Sequence, residues 1–429
     1  MERLQRHTLA TTLFADELPM ASLFTPFTLK SITLRNRIVA SPMCQYMAND
    51  GLLNEWHQAH YCALARGGVG LVIVEATAVS AQGRITPGDA GLWNDAQVSG
   101  FASVAKAIKA VGAVPGIQLG HAGRKAGCTP PWQGGAPLPA SDPQAWQPVA
   151  PSALPFMPSA PHLPSEMTPA DIRRTRQDFA AAAARALEAG FEWLELHFAH
   201  GFLGQNFLSR HSNTRTDQYG GSLENRARFL MQTVAAVRQV WPASLPLTLR
   251  LGVVEFDAGA ETSLAESTQV LRWLKDAGVD LVDVGIALST PDEQVPWGPN
   301  FMVPYAERIR QETGLPVATS WMITSAKEAD AFVREGKLDL VMFARTLLAN
   351  PHWPFQAARE LEVEQPEAVL PTPYAFWLQN WAGRHLKRDG CSVDSRASGL
   401  RPDLPITVGS TDGKVPLTEP HTFYAGGFS

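Results

Sequence analysis

The sequence predicts an α/β protein of the (β/α)8 TIM-barrel class. Eight short apolar runs of β-forming residues alternate with eight longer helical segments along the 429 residues. This alternation predicts parallel strands with helices packed outside them, and eight repeats in a chain of this length favour a closed barrel. No Gly-x-Gly-x-x-Gly motif follows an early strand, which disfavours the alternative, an open doubly wound sheet that binds a dinucleotide.

The strands are indicated by short runs rich in Val, Ile, Leu and Phe, bounded by turn-forming or charged residues. In chain order, the predicted strands are Arg37–Ser41, Leu71–Glu75, Val114–Leu119, Trp193–His197, Leu247–Leu251, Leu281–Val284, Pro316–Thr319 and Leu340–Phe343.

Helical segments separate the strands, and several of them are followed by a glycine, which commonly ends a helix. These glycines are Gly190, Gly278, Gly314 and Gly336. The predicted helices are Glu55–Arg66, Ala96–Val111, Pro169–Ala189, Leu223–Val240, Leu264–Ala277, Tyr305–Thr313, Ala326–Glu335 and Thr346–Glu360.

The composition is that of an ordinary globular protein, with 45% hydrophobic and 18% charged residues. Lys and Arg total 36 against 41 Asp and Glu, which gives a net charge of −5. No basic block stands out, so neither nucleic acid nor an anionic membrane is expected as a partner. No apolar run is long enough to cross a bilayer. The N-terminal residues lack the apolar core of a secretory signal, so a cytoplasmic location is the default.

The cysteines carry no metal or disulfide signature. Cys44, Cys62, Cys128 and Cys391 are scattered without a Cys-x-x-Cys pair. This spacing is typical of reduced thiols and disfavours a disulfide framework or an iron–sulfur cluster.

One domain, residues 22–381, is expected to form the barrel, preceded by an N-terminal extension at residues 1–21. Residues 382–429 mix charges, Gly and Pro without a helical or strand period, which is typical of a disordered C-terminal extension. The segment Thr129–Thr168 follows strand three, is rich in Pro, Ser and Ala, and is too long for an ordinary connection. We predict an inserted lid loop there; the alternative is a passive surface loop.

Functional residues of such a barrel belong at the carboxyl ends of its strands. Strand four ends on His197, and His200 follows where Gly201 and Gly204 bend the chain. Two imidazoles at this point can donate hydrogen bonds to one ligand oxygen. The other residues expected at strand ends are Pro42, Met43 and Cys44 after strand one, Ala76 after two, Gln118 at three, Arg250 at five, Trp321 after seven and Arg345 after eight.

These strand-end residues suit a flavin. Arg345 lies at the standard phosphate corner of such barrels, and a guanidinium can bind phosphate at two points. Gln118 can donate and accept, as the pyrimidine edge of an isoalloxazine requires. Arg250 beside the ring would stabilise the negative charge of a reduced flavin. Without this context each residue has a plainer explanation: a structural histidine pair, an internal ion pair for Arg250, and packing for the cysteine and the aromatic residues.

Five longer stretches carry a family resemblance. They are LFTPFTLKSITLRNRIVASPMCQY (Leu23–Tyr46), VGLVIVEATAV (Val69–Val79), GIQLGHAGRK (Gly116–Lys125), ELHFAHGFL (Glu195–Leu203) and LSRHSNTRTDQYGGSLENRARFL (Leu208–Leu230). Together they resemble the Old Yellow Enzyme family, and most closely its thermophilic-like, xenobiotic-reductase branch. The resemblance spans roughly residues 22–381, and several long motifs in the right order are more specific than any single one.

The resemblance implies an FMN-dependent ene-reductase. Hydride would pass from NAD(P)H through flavin N5 to the β-carbon of an α,β-unsaturated carbonyl or nitro compound. The implied FMN contacts are Ser41, Pro42, Met43, Cys44, Ala76, Gln118, Arg250, Ala344 and Arg345. The implied contacts to the acceptor substrate are Tyr46, His197, His200, Trp321 and Trp377, the last from a neighbouring subunit of a homo-oligomer.

Roles within this set also follow from the resemblance. Cys44 is implied to tune the flavin and not to act as a nucleophile. Hydrogen bonds from His197 and His200 to the carbonyl oxygen would draw electron density from the β-carbon and stabilise the enolate that hydride transfer creates. The sequence does not decide whether NADH or NADPH is the hydride donor, or which acceptor is the physiological one.

Phe202 departs from the family pattern, which usually has a tyrosine whose phenol protonates the α-carbon. Phenylalanine cannot donate a proton, and general acid catalysis contributes roughly 10²–10⁴-fold, so C=C reduction is expected to be slowed unless Tyr46 or water substitutes. Glycine is also usual in the loop that here runs Ser320-Trp321-Met322 and at Ala344. Glycine lets backbone N–H groups approach phosphate closely, so weakened FMN binding is expected.

Two rival interpretations remain open at this point. One is an FMN-binding protein with little ene-reductase turnover, motivated by Phe202, Met322 and Ala344. The other is a barrel without a flavin, such as a metal hydrolase, disfavoured because strand one has no His-x-His pair.

Overall fold

The computed structural model describes residues 22–158, 160 and 163–386. Eight parallel strands form a closed barrel in which each strand pairs with the next in sequence and the last pairs with the first. The strands are β1 Ile38–Ala40, β2 Leu71–Ala78, β3 Val114–Gly120, β4 Trp193–Phe198, β5 Leu247–Val254, β6 Leu281–Ile286, β7 Val317–Thr319 and β8 Leu340–Phe343. The predicted TIM barrel and all of its predicted strands are therefore confirmed.

Helices follow the strands as predicted. The main ones are α1 Glu55–Arg66, α2 Val98–Ala110, α3 Pro169–Glu188, α4 Leu223–Arg238, α5 Ala260–Asp276, α6 Val303–Thr313, α7 Ala326–Arg334 and α8 Trp353–Glu360. Additional helices are Leu203–Leu208, Arg345–Ala349 and Thr372–Leu386, with 3-10 turns at Ala81–Gly83, Asp95–Gln97, Gly123–Lys125, Pro131–Gln133 and Pro366–Val369.

The single helix predicted over Thr346–Glu360 is wrong. The chain forms Arg345–Ala349, breaks, and resumes at Trp353. Asn350 precedes Pro351 and adopts an extended backbone, φ −149° and ψ 96°. The ring of a proline disfavours helical geometry in the residue before it, which is why the break falls there.

The start and end of α3 show how local sequence sets the helix boundaries. Thr168 accepts a hydrogen bond from the Asp171 backbone N–H at 3.2 Å, and the Asp171 carboxylate accepts the Thr168 N–H at 2.9 Å. Pro169 occupies the first turn, where no N–H is needed. Gly190 follows with φ 89°, the left-handed conformation that ends a helix without a Cβ penalty.

The barrel interior is packed at its amino-terminal end. An antiparallel hairpin, Phe27–Leu29 and Ile32–Leu34, precedes β1. Its Phe27 and Leu34 share one apolar cluster with Leu71, Trp193 and other residues near the start of barrel strands. The hairpin therefore covers this end of the barrel and leaves the carboxyl ends of the strands for chemistry.

The inserted segment Thr129–Thr168 lies between β3 and α3, as predicted. Its two short strands, Val149–Ala150 and Ser165–Glu166, pair in parallel. Arg124, just after β3, donates from Nη1 to the carbonyl of Pro155 at 3.2 Å and from Nη2 to the carbonyl of Ser289. One guanidinium thus ties the insertion to the loop after β6.

The predicted termini are only partly described. Residues 1–21 and 387–429 lie outside the described residues, and so does the disorder expected there. The last helix, Thr372–Leu386, runs through the expected domain boundary at residue 381. Among the described residues, no helix has both the length and the apolar character needed to span a bilayer.

Candidate active site

The two predicted histidines lie together at the carboxyl end of β4. His197 Nε2 is 3.3 Å from His200 Nδ1, and both side chains are buried. The backbone N–H of Ala199 donates to His197 Nδ1 at 3.3 Å. His197 Nδ1 is therefore an acceptor, which places the proton of its neutral ring on Nε2, the atom facing His200.

The histidine pair is held neutral. Burial lowers the pKa of both rings well below the usual value, and the nearby positive charge of Arg250 lowers each further. Among the described residues, His200 Nε2 has no hydrogen-bond partner although it is buried. His200 also has φ 59°, a left-handed backbone that a non-glycine residue rarely adopts. Two neutral N–H donors at one point can polarise a ligand oxygen without transferring a full proton to it.

Arg250 lies beside the histidines, because β4 and β5 pair with His197 opposite Arg250. Its Nε is 2.8 Å from Asp283 Oδ2 on β6, an ion pair that lacks the alignment of a hydrogen bond, and its Nη2 donates to Ser320 Oγ at 3.0 Å. The internal ion pair that was the plainer explanation for Arg250 therefore exists, with Asp283 as the partner. Burial raises the pKa of Asp283 to about 6, against the lowering effect of Arg250.

Gln118 on β3 contacts a second buried carboxyl group. Its Nε2 donates to Glu195 Oε1 at 2.7 Å. Burial, reinforced by the charge of Asp283, raises the pKa of Glu195 to about 8. Glu195 is two residues before His197 on β4, and alternate residues of a strand share a face. Glu195 could have been identified from the sequence, because this two-residue alternation puts it on the same face of the strand as His197.

The loop after β1 carries Cys44 and Tyr46. The Gln45 N–H donates to Glu75 Oε2 and the Tyr61 hydroxyl donates to Glu75 Oε1, both at 2.8 Å. Burial raises the pKa of Glu75 to about 8, and its carboxyl group fastens this loop to β2. Burial followed by the charge of Glu75 holds the pKa of Cys44 well above its usual value. Cys44 is therefore a thiol, as expected of a residue that is not a nucleophile.

Ala76 does not follow β2, as the sequence predicted, but lies within it. The pairing of β2 with β3 shifts register between Val74 and Thr77. This irregularity includes Ala76, and a bulge of this kind re-aims the chain at the rim of a barrel. Pro42 and Met43 lie after β1, as predicted, and are buried. Ser41, predicted as the last residue of the strand, lies just beyond its end and is also buried.

Phe202 lies at the side of the histidine pair. Its ring centroid is 4.9 Å from that of His197 and 6.4 Å from that of His200, and only 4% of the residue is exposed. It belongs to a small apolar cluster that also includes Tyr46. Tyr46 meets the ring of Trp132, in the insertion, at 5.8 Å. Burial raises the pKa of Tyr46 well above its usual value, so its phenol keeps its proton.

Lys125, five residues beyond β3, is a functional candidate that the sequence analysis did not single out. Its Nζ donates to the carbonyls of His200 at 2.7 Å and Leu288 at 3.0 Å, and lies 3.9 Å from the ring centroid of Phe156. Burial lowers its pKa to about 7. One ammonium therefore joins the β4 loop, the β6 loop and the insertion. The sequence signal that could have identified Lys125 is a cationic residue in the loop after β3, at the end of the family motif Gly116–Lys125.

The loop after β7 has an unusual backbone. Trp321 has φ 28° and Met322 has φ 63°, values that favour glycine. Trp321 is buried, with its ring centroid 5.6 Å from that of His200. It also meets Trp297 at 6.1 Å and Phe301 at 5.8 Å. Trp321 thus belongs to an aromatic wall at the histidine pair, and Met322 is exposed.

The residues after β8 are placed as predicted. Ala344 immediately follows the strand and is buried, with φ −118° and ψ −89°. Arg345 begins the short helix Arg345–Ala349 and is exposed. Trp377 is not brought to the histidine pair by any described contact. It lies on the helix Thr372–Leu386 with 65% of its surface exposed and meets Phe376 at 5.3 Å.

The residues at this end of the barrel fit an FMN. Among the described residues, the buried Ser41 hydroxyl has no hydrogen-bond partner at the end of β1. Gln118 offers an amide and Arg250 a guanidinium from neighbouring parts of the barrel wall. A heteroaromatic ring rich in carbonyl and N–H groups would satisfy such donors and acceptors. The glycine-like backbone at Met322 and Trp321 also fits a close approach to phosphate, although neither side chain is glycine.

Comparison with known proteins identifies the family of the chain. The profile of the NADH:flavin oxidoreductase / NADH oxidase family matches residues 22–364. The NADPH dehydrogenase of Geobacillus thermodenitrificans (strain NG80-2) is 43% identical over 344 residues, which cover 80% of this chain and 95% of the relative.

Solved structures show the same fold. Morphinone reductase superimposes with a TM-score of 0.68 at 28% identity, covering 80% of this chain and 91% of that one. A 2-naphthoyl-CoA reductase complex gives a TM-score of 0.71 at 24% identity; this chain spans 54% of its length, and so low an identity shows the fold alone. The chain belongs to the NADH:flavin oxidoreductase / NADH oxidase family, the Old Yellow Enzyme family that its motifs resemble, and is an FMN-dependent oxidoreductase of the NADPH dehydrogenase type.

Proposed function

We propose that this enzyme is an ene-reductase, which uses NADPH to reduce the activated C=C bond of an α,β-unsaturated carbonyl or nitro compound. The observation that carries the proposal is the histidine pair: two buried, neutral imidazoles whose His197 Nε2 and His200 Nδ1 lie 3.3 Å apart. Donors arranged in this way suit one oxygen atom that gains negative charge during the reaction.

The histidine pair would bind the acceptor through that oxygen. His197 presents its Nε2–H because Ala199 occupies its Nδ1. A carbonyl or nitro oxygen would take the place of the hydrogen bond between the two rings. His200 would then carry its proton on Nδ1, so that the oxygen accepts from His197 Nε2 and from His200 Nδ1. The oxygen then withdraws electron density from the β-carbon, and the enolate formed by hydride addition is stabilised. Because both rings stay neutral, neither needs to lose a charge when product leaves.

FMN, when bound, supplies the hydride chemistry that no side chain can perform. Ser41, Gln118 and Arg250 would hold its ring, and Arg345 its phosphate. The ion pair with Asp283 holds the Arg250 guanidinium in place next to the histidines. Pro42, Met43, Cys44, Ala76 and Ala344 line the same end of the barrel and would contribute backbone and packing contacts.

The proton that completes the reaction must come from another group. Phe202 occupies the position beside His197 and has no proton to donate. Tyr46 shares an apolar cluster with Phe202, keeps its phenolic proton, and is the phenol among the residues of that cluster. We propose that Tyr46, directly or through water, protonates the α-carbon more slowly than a tyrosine at position 202 would.

The insertion would act as a lid over this site. Trp132 and Phe156 of the insertion contact Tyr46 and Lys125. The acceptor would lie between these side chains and a second aromatic group from the loops after β6 and β7, namely Trp297, Phe301 and Trp321. Such a pocket favours planar, apolar acceptors. Trp377 is exposed and would reach an acceptor only from a partner subunit, so a homo-oligomer is part of the proposal.

The decisive experiment separates the two halves of the cycle. Purified enzyme loaded with FMN is reduced with NADPH under argon, and 2-cyclohexenone is then added while the flavin absorbance is followed. Ene-reductase activity predicts loss of the flavin band on NADPH addition and its return with one equivalent of cyclohexanone. Return only after oxygen enters would refute the proposal and support the second candidate, an FMN-binding protein with little ene-reductase turnover, which Phe202 favours.

Two variants of one position control this experiment. His200→Asn keeps an N–H donor and a residue type that tolerates the left-handed backbone at φ 59°. His200→Ala removes the donor. We expect His200→Ala to slow cyclohexenone reduction at least tenfold more than His200→Asn. Equal effects would show that the ring position does not act as a donor.

A further inference from the structure

We infer that the chain binds a first-row divalent transition-metal ion at a second site, separate from the flavin pocket. The ligands would be His211, in the loop after β4, with Glu255 and Asp257, which follow β5. One ligand atom from each residue lies within 4.8 Å of the other two. The site does not depend on the proposed ene-reductase function.

The spacing of the three side chains suits a metal. His211 Nε2 is 2.7 Å from Asp257 Oδ2 and 3.7 Å from Glu255 Oε2. Zinc binds imidazole nitrogen and carboxylate oxygen at about 2.0–2.2 Å, so ligand atoms around a tetrahedral ion are roughly 3.4 Å apart. The two observed distances lie on either side of that value, and small side-chain rotations would equalise them.

A second observation points to a missing ligand. Glu255 is only 8% exposed, and its Oε1 has no hydrogen-bond partner among the described residues. A buried carboxylate oxygen without a partner is costly. Glu255 lines a cavity of about 240 Å³ together with His211 and Asp257. The cavity therefore offers space for an ion and its water beside a carboxylate whose Oε1 has no hydrogen-bond partner among the described residues.

The surroundings orient the ligands. The N–H of Gly259 donates to Asp257 Oδ1 at 2.7 Å, which leaves Oδ2 turned toward His211. The backbone N–H of His211 donates to Ser209 Oγ at 3.1 Å and fixes the start of its loop. Hydrogen bonds of this kind around the ligands are typical of metal sites.

Positive charges in the same cavity repel a cation, and nearby carboxylates offset them. Arg210 and Arg226 both line it. Both are paired with Glu266, whose Oε2 is 2.8 Å from Arg226 Nη2 and whose Oε1 pairs with Arg210. With Glu255 and Asp257, the three carboxylates exceed the two guanidinium groups by one charge. The local balance therefore still favours a cation.

The donor set selects the class of metal. One imidazole nitrogen with two carboxylate oxygens suits Zn²⁺, Mn²⁺, Fe²⁺, Co²⁺ or Ni²⁺, whereas Ca²⁺ and Mg²⁺ prefer oxygen ligands alone. A bound ion would join the β4 loop to the segment after β5, and its expected role is to stabilise this side of the barrel.

The test uses full-length, FMN-loaded protein stripped with chelator and then dialysed against zinc sulfate. We expect the wild type to bind one more equivalent of Zn²⁺ than His211→Ala or Asp257→Asn, and only the wild type to gain Tm from that equivalent. His352→Ala is the matched control, because it removes a histidine outside the cluster and should keep the full stoichiometry. FMN content checks that each variant is folded.

The outcomes are distinct. Zn²⁺ bound by His197 and His200 in the active site would survive in the His211 and Asp257 variants, so it cannot imitate the expected loss. If His211→Ala and Asp257→Asn bind Zn²⁺ with wild-type stoichiometry and affinity, or if the wild type binds none, the cluster is a surface ion pair and the inference is overturned.

Discussion

Replacing Phe202 with tyrosine should restore the missing proton donor. The ring of Phe202 is buried against His197, at 4.9 Å, and lies 6.4 Å from His200. A phenol oxygen on this ring would therefore lie near the two imidazoles that are proposed to hold the acceptor. General acid catalysis is worth about 10²–10⁴-fold, which corresponds to roughly 3–5 kcal/mol of barrier. We expect the rate of acceptor reduction in Phe202→Tyr to rise by about 10²-fold.

The same substitution has a cost. Phe202 is 4% exposed, and a buried hydroxyl without a partner destabilises a protein by about 1–3 kcal/mol. The free enzyme should therefore lose a few degrees of Tm, and a bound acceptor should recover part of the loss. Flavin reduction by NADPH should stay within about twofold of the wild type, because that step needs no proton donor at position 202.

Stopped-flow absorbance under argon measures both steps. Phe202→Leu is the matched control, since it changes the ring without adding an acid and should give no acceleration. Tyr46→Phe should slow acceptor reduction in the wild type but have much less effect in Phe202→Tyr, where the new phenol takes over. An unchanged acceptor step in Phe202→Tyr, with normal flavin reduction, would refute this reasoning.

Three further outcomes are expected. Met322→Gly should raise the free energy of unfolding by roughly 1 kcal/mol, because an exposed residue at φ 63° carries about that much backbone strain; urea unfolding measures it, and Met322→Ala should give no such gain. Lys125→Met should raise the KM for cyclohexenone about tenfold, since two hydrogen bonds that fix the His200 and Leu288 carbonyls are lost; an unchanged KM in steady-state assays would contradict this role. The pKa of Lys125 is lowered to about 7 in the folded protein, so the unfolded chain binds more protons between about pH 7 and 10, and the folded state gains stability as pH rises there. In urea unfolding, the free energy of unfolding of the wild type should therefore rise relative to that of Lys125→Met across this window. If the difference between the two proteins does not change with pH, Lys125 is not the cause.

Much of the fold could be predicted because each barrel strand and helix is determined mainly by the residues within it and directly beside it. Continuous apolar runs such as Leu340–Phe343 and a terminator such as Gly190 act within one element. Local signals failed where two tendencies compete, as at Asn350, where the following proline outweighs the helical pattern on both sides. They also missed the hairpin at Phe27–Leu34, since each of its strands has three residues and is stabilised by contacts with the barrel.

The position of the candidate active site could also be predicted from the sequence, because the carboxyl ends of the strands follow from the fold class. Gln118, His197 and Arg250 could be named from their places in the strands, and the structure brings them to neighbouring positions of the wall. The family of the enzyme likewise follows from motifs that can be found in the chain alone.

Only the tertiary structure decided which groups these residues contact. The pairing of Arg250 with Asp283, of Gln118 with Glu195, and of Lys125 with the carbonyl of His200 joins residues far apart in the chain. The neutral state of the histidines is a tertiary property as well, since it depends on burial and on the charge of Arg250. Sequence patterns report which face of an element is apolar, whereas partners and pKa values depend on distances and desolvation that exist only once the barrel has closed.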